Sequence, residues 1–240
     1  MYPSSERDPR RLALLDIARF LGLGLVYYGH LVEQFMYRGN AAAALQYKWI
    51  YSFHMPFFFL ISGYVCDRGK TKQPAGRFFG RLAASRLTTY LFFSVLLVPL
   101  TFSLPVLFPP FDFSSPAIYF AGAVKTASGF PLFNIPVWFL GALISVEILN
   151  HFTIRRLRTD ARLLTAALAF YLFGYFLNLH IQFLDFTKLV SGNVWMLHEA
   201  PVMYAFYLVG IFLRRRRFLL APMAPARSAA GALACLALVS

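Results

Sequence analysis

Side chains able to move protons and to bind charge fall on one strip of the first long apolar stretch. From Arg11 to Gln34 the chain reads RLALLDIARFLGLGLVYYGHLVEQ. Wound as an α-helix at about 100° per residue, it brings Asp16, Arg19, Leu23, Tyr27, His30, Glu33 and Gln34 into a stripe roughly 120° wide, and the rest of the surface is apolar. His30 has the most reactive potential. An unperturbed imidazole has a pKa of about 6.5, so near neutral pH much of it is uncharged and can take a proton. Glu33, one turn on, is placed to orient that ring. Arg19 precedes His30 by eleven residues, about 16 Å along the axis, so the two share a face at different depths. That spacing suits a reaction site reached from both sides of a bilayer. A charge near the middle of a span costs about 2.5–3.5 kcal/mol, so Arg19 is expected to face protein or water. The plainer reading is that it pairs with Asp16 at i,i+3 and stabilises helix packing.

The elements that hold this strip are membrane elements. Hydrophobic residues make up 59% of the chain and charged residues only 14%, against about 25% charged in a soluble domain. The composition predicts an all-α polytopic transmembrane helical bundle, a single membrane-embedded domain over residues 1–240. Spans are expected at Leu12–Leu31, Tyr47–Val65, Leu82–Leu104, Ile135–Phe152, Leu163–His180 and Val194–Leu213, each near the ~20 residues a bilayer requires. Ala229–Ser240 is apolar but too short to cross, so the sequence is expected to hold six complete spans and the start of a seventh. Prolines 99, 105, 109 and 110 predict that the third span breaks into an irregular outer segment, with Ser114–Pro131 as an interfacial loop. Cys66 and Cys235 lie far apart and build neither a disulfide framework nor a metal cluster, so no metal is expected. Met1–Arg10 is polar and no cleavage site follows, so the first stretch is expected to stay in the mature protein.

The net charge of +13 raises the question of nucleic acid, which the distribution of the charge answers. Eighteen Lys and Arg residues lie at the N-terminus and in alternate loops (Arg7, Arg10 and Arg11; 68–86; 155–162; 214–227), whereas the intervening loops hold four: Arg38, Lys48, Lys125 and Lys188. The positive-inside rule therefore predicts a cytoplasmic N-terminus and a multi-pass protein of the cell membrane, with His30 towards the outer face. The basic loops are expected to contact anionic lipid, and no nucleic-acid partner is expected.

Several stretches resemble one family. Leu15-Asp16-Ile17-Ala18-Arg19, followed by His30 in an Arg-x10-His spacing, is similar to the start of the acyltransferase-3 family of integral-membrane O-acyltransferases. Phe53-His54-Met55-Pro56 through Tyr64 resembles its second-helix signature. Arg86-Leu87-Thr88-Thr89-Tyr90 resembles the basic entry to its third helix, and Pro136-Val137-Trp138-Phe139-Leu140 its Trp-Phe-Leu segment. Arg77, Arg81 and Arg86 are spaced by four and five, where the family often has a tighter pair.

The resemblance implies transfer of an acyl group, commonly acetyl from acetyl-CoA, to a hydroxyl of a carbohydrate or glycolipid acceptor, with no tightly bound cofactor. It implies His30, Glu33 and Arg19 as the catalytic set. Asp16, Tyr27, His54, Arg77, Arg81, Arg86 and Trp138 would bind donor or acceptor, the loop arginines meeting the donor's phosphates. The competing classes are a transporter or flippase and an inactive shortened relative. Blander readings stand beside several residues. His54 and Met55 pack at a bend before Pro56, and Trp138 is an interfacial anchor. Glu147 pairs with a basic residue such as Arg155, and His151 is an interfacial group at the inner edge of its span. His198 and Glu199, just before Pro201, form a secondary candidate site.

Overall fold

The computed structural model describes residues 9–66, 73–104, 116–180 and 193–217, and within them the regular structure is helical, with no strand. The chain divides into two compact units, residues 1–65 with 209–240 and residues 66–208.

In the first unit, α1 (Pro9–Tyr37) and α2 (Ala41–Val65) form a hairpin. The turn between them is built by residue type. Gly39 takes φ 83°, a conformation open to glycine, and its N–H reaches the carbonyl of Met36. Asn40 then caps α2, its side chain accepting from the Ala43 N–H at 3.0 Å. α1 buries Leu15, Gly22, Gly29 and Val32, a seven-residue rhythm closed by Val32 at the turn. The two glycines let α2 come close. A Cβ on Gly22 would lie 2.9 Å from the Phe58 ring, and one on Gly29 would lie 3.2 Å from Tyr51 and 3.3 Å from Ile50. Further down, Leu15, Ile61 and Tyr64 form a core with Ala18, Phe57 and Leu213. α2 remains helical through Pro56.

In the second unit, α3 (Ala75–Leu82) runs through a π turn (Ala83–Leu87) into α4 (Thr88–Ser103). Then come α5 (Pro116–Ala127), a 3-10 turn (Ile135–Val137) leading into α6 (Trp138–Thr153), and α7 (Asp160–Leu179). A second 3-10 turn (Val194–Met196) precedes α8 (Ala200–Arg215), whose last residues belong to the first unit. Tyr90 is fully buried at the centre of the unit, packed with Leu82, Val137 and Ile144, and its hydroxyl donates to the Thr126 carbonyl at 3.0 Å. Thr159 caps α7, accepting from the Arg162 N–H.

Four helical stretches are long and apolar enough to cross a membrane: Ala75–Leu100, Ile135–Thr153, Asp160–Leu179 and Val194–Arg215. They correspond to the third to sixth spans expected above. α1 and α2 are long helices, but α1 carries Asp16, Arg19 and His30, and α2 carries Lys48, His54 and three tyrosines. Among the described residues neither joins those four. Two expectations need correcting. Residues 116–127, expected to lie in an interfacial loop, form α5, which starts on Pro116 and ends before Gly129 at φ 92°. The third span does not break at Pro99, which sits inside α4. Pro105, Pro109, Pro110 and the start of a seventh span lie outside the described residues.

Candidate active site

His30 stands on α1 one turn before Glu33, and the two side chains meet: Nδ1 lies 3.2 Å from Glu33 Oε2. A carboxylate can only accept, so this contact puts the proton on Nδ1 and leaves the lone pair of a neutral ring on Nε2. Among the described residues no hydrogen bond occupies Nε2. The His30 side chain is 45% exposed and that of Glu33 only 19%, so the ring reaches outward from a carboxylate held at the helix interface.

The other oxygen of Glu33 is held by phenols. Tyr37, one turn further along α1, donates to Oε1 at 3.3 Å, and Tyr47 from α2 donates to the same atom at 3.4 Å. The Glu33 carboxylate in turn holds the Tyr37 hydroxyl above the usual tyrosine range. Tyr51 stacks on Tyr47 with ring centres 4.0 Å apart, and its hydroxyl lies 3.4 Å from His30 Nδ1. His54, buried one turn on, meets Tyr51 edge-on at 4.6 Å and directs Nδ1 to the Ile50 carbonyl at 2.8 Å. Tyr28 bonds Gln46 across the same pair of helices. Tyr47, Tyr51 and His54 recur at i, i+4 and i+7, so one face of α2 meets the His30–Glu33 pair.

Of the remaining expected residues, Arg19 pairs with Asp16 at 3.2 Å and both side chains are exposed. Tyr27 is 75% exposed. Arg77 and Arg81 are exposed one turn apart on α3, whereas Arg86, in the π turn, binds Glu147 through Nε at 3.1 Å and through a terminal nitrogen at 3.0 Å. Trp138 opens α6, half-buried. Two pairings differ from expectation. Glu147 binds Arg86 and not Arg155, because Arg86 sits on a helix packed against α6. Arg155 instead donates to the Gln73 carbonyl at 3.2 Å. His151, in the last turn of α6, is buried and stacked flat on Phe78 at 4.1 Å. The sequence reading missed Tyr37, Tyr47 and Tyr51. Their signal was the spacing of four residues that places Tyr37 over Glu33 and Tyr51 over Tyr47.

An imidazole oriented by a carboxylate thus stands on α1, in a chain where four other helical stretches are long and apolar enough to cross a membrane. The chain belongs to the acyltransferase-3 family: a family model described as an acyltransferase domain matches residues 12–240. It is also similar to the nodulation protein NolL of Mesorhizobium japonicum, at 34% identity over 96 residues, which cover 39% of this chain and 25% of that protein. No solved structure matches.

Proposed function

We propose that this membrane acyltransferase moves an acyl group, acetyl in the simplest case, from cytoplasmic acyl-CoA to a hydroxyl of a carbohydrate or related envelope acceptor. The observation that carries the reading is the His30–Glu33 contact, which supports an imidazole with its lone pair on Nε2. In the reaction, Nε2 takes the proton of the acceptor hydroxyl as the oxygen attacks the thioester carbonyl. The C–S bond then breaks, and the proton passes from the imidazolium to the departing CoA thiolate, giving ester and free CoA. Glu33 stabilises the imidazolium while it lasts. Arg77 and Arg81 supply cations for the donor's phosphates, and Arg86 adds its charge to theirs while held by Glu147. Arg19, Asp16 and Tyr27 continue the polar face along α1, and His54 and Trp138 bind substrate. In this reading α1 and α2 also cross the bilayer, for six spans in all, with the N-terminus in the cytoplasm of a cell-membrane protein.

The test is release of free CoA from acetyl-CoA by membranes containing the protein, with and without an envelope glycan acceptor. Acceptor-dependent release that disappears in His30→Gln supports the reading. Acceptor movement without donor consumption replaces it with transport.

A further inference from the structure

Glu147 is the carboxylate of α6, and stability does not explain its presence. Its side chain is 22% exposed and that of Arg86 is 42% exposed, with Arg86 Nε 3.1 Å and Nη2 3.0 Å from Glu147 Oε1. An ion pair this open adds little to the folding balance. A carboxylate on a helix that reads WFLGALISV before it and IL after it nevertheless costs free energy to insert. What the contact does is fix a direction. The π turn that carries Arg86 packs on α6, and from that side Glu147 takes Nε and Nη2 of the guanidinium. Among the described residues no hydrogen bond uses Arg86 Nη1, and the exposed part of the side chain turns away from α6.

Arg77 and Arg81 stand one turn apart and exposed on α3. Five residues of plain α-helix would set Arg81 and Arg86 about 140° apart, and the wider turn between them narrows that angle. Three guanidiniums thus follow one another into the span, and among the described residues only the third is anchored by a carboxylate. We infer that Glu147 is a positioning residue for the anionic donor: by holding one side of the Arg86 guanidinium it presents Nη1 to a donor phosphate, and so sets donor affinity without touching the donor. The inference rests on the acyl-CoA reading above. A long side chain that clamps a phosphate gives up rotamer freedom, and a guanidinium already fixed has less to lose. Its hydrogen bond to phosphate is charge-assisted, which makes its direction count. A carboxylate acting on the donor directly would have the opposite sign. It would repel the phosphates, and removing it would tighten binding.

The experiment is calorimetric titration of coenzyme A into the full chain in phosphatidylcholine nanodiscs, with thermal unfolding to set aside any variant that has failed to fold. Glu147→Gln keeps the shape but loses the charge that holds Arg86, and should weaken coenzyme A binding about three- to tenfold. The KM for acetyl-CoA should rise by the same factor while kcat stays as in wild type. Arg86→Ala should weaken binding at least as much. Because Glu147 acts through Arg86, adding Glu147→Gln to Arg86→Ala should change the affinity no further, whereas a general structural role would lower it again. Unchanged or tighter binding in a folded Glu147→Gln, or a full further loss in the double variant, overturns the inference and leaves the acyl-CoA reading standing. A wild-type chain that binds no coenzyme A overturns both.

Discussion

Glu33 joins one imidazole to two phenols, and this makes its substitution more informative than that of His30 itself. His30→Ala or His30→Gln removes the base and should lower turnover by about 10²–10⁴-fold, with membrane insertion unchanged. Glu33→Gln keeps the shape, but its amide can donate to Nδ1. The ring would then adopt the other tautomer and carry a hydrogen on Nε2, where the lone pair is needed. Turnover should fall by a comparable ~10²–10⁴-fold while the KM for acyl-CoA stays unchanged, measured as acceptor-dependent CoA release. Glu33→Gln at wild-type turnover would show that the carboxylate does not set the tautomer. Tyr47→Phe removes one of two phenols on Oε1 and should cost far less, about three- to tenfold, with Tyr37 still in place.

The α1–α2 hairpin makes its own prediction, because two glycines of α1 stand in opposite environments. Gly29 lies against Tyr51 and Ile50, whereas a Cβ on Gly24 would meet nothing within 4 Å. Gly29→Val should destabilise the protein by about 1–3 kcal/mol by overpacking and, by displacing Tyr51, reduce turnover. Gly24→Ala should be neutral, or stabilising by up to about 1 kcal/mol through helix propensity. Thermal unfolding and turnover measured together separate the two, and equal behaviour would remove the close approach of the helices as the cause. The same hairpin marks how far the sequence could be read. The helices and the α1 stripe were visible because a bilayer demands long apolar runs and a 3.6-residue period exposes any polar exception. His30 and Glu33 were found because a three-residue spacing brings them together on one helix. Tyr47 reaching Glu33, and Arg86 reaching Glu147, depend on how one helix packs on another, and periodicity within a single helix does not encode that. His151 reads as polar by composition but is placed by the flat face of Phe78.

Across the whole chain, the asymmetry of basic residues predicts a direction that can be checked without any enzymology. A reporter fused after Arg217 should be cytoplasmic and one inserted between Pro110 and Pro131 external. Reversed labelling would take away the outward-facing position proposed for His30. Within the third span the π turn at Ala83–Leu87 has a further effect. Eight residues of uninterrupted α-helix would leave Leu82 and Tyr90 about 80° apart, yet both are buried in one cluster, and the wider turn takes up that offset. A π turn is in effect one extra residue carried inside a helix, so the span consists of two segments that are out of phase and joined by a splice. Deleting Ala84 should remove that surplus residue and restore plain α-helix with Leu82 and Tyr90 seven positions apart, about 20° from a common face, so thermal unfolding should show the core kept. A residue deleted between two buried positions elsewhere in this span, where no surplus is carried, would instead turn one of them about 100° out of the core.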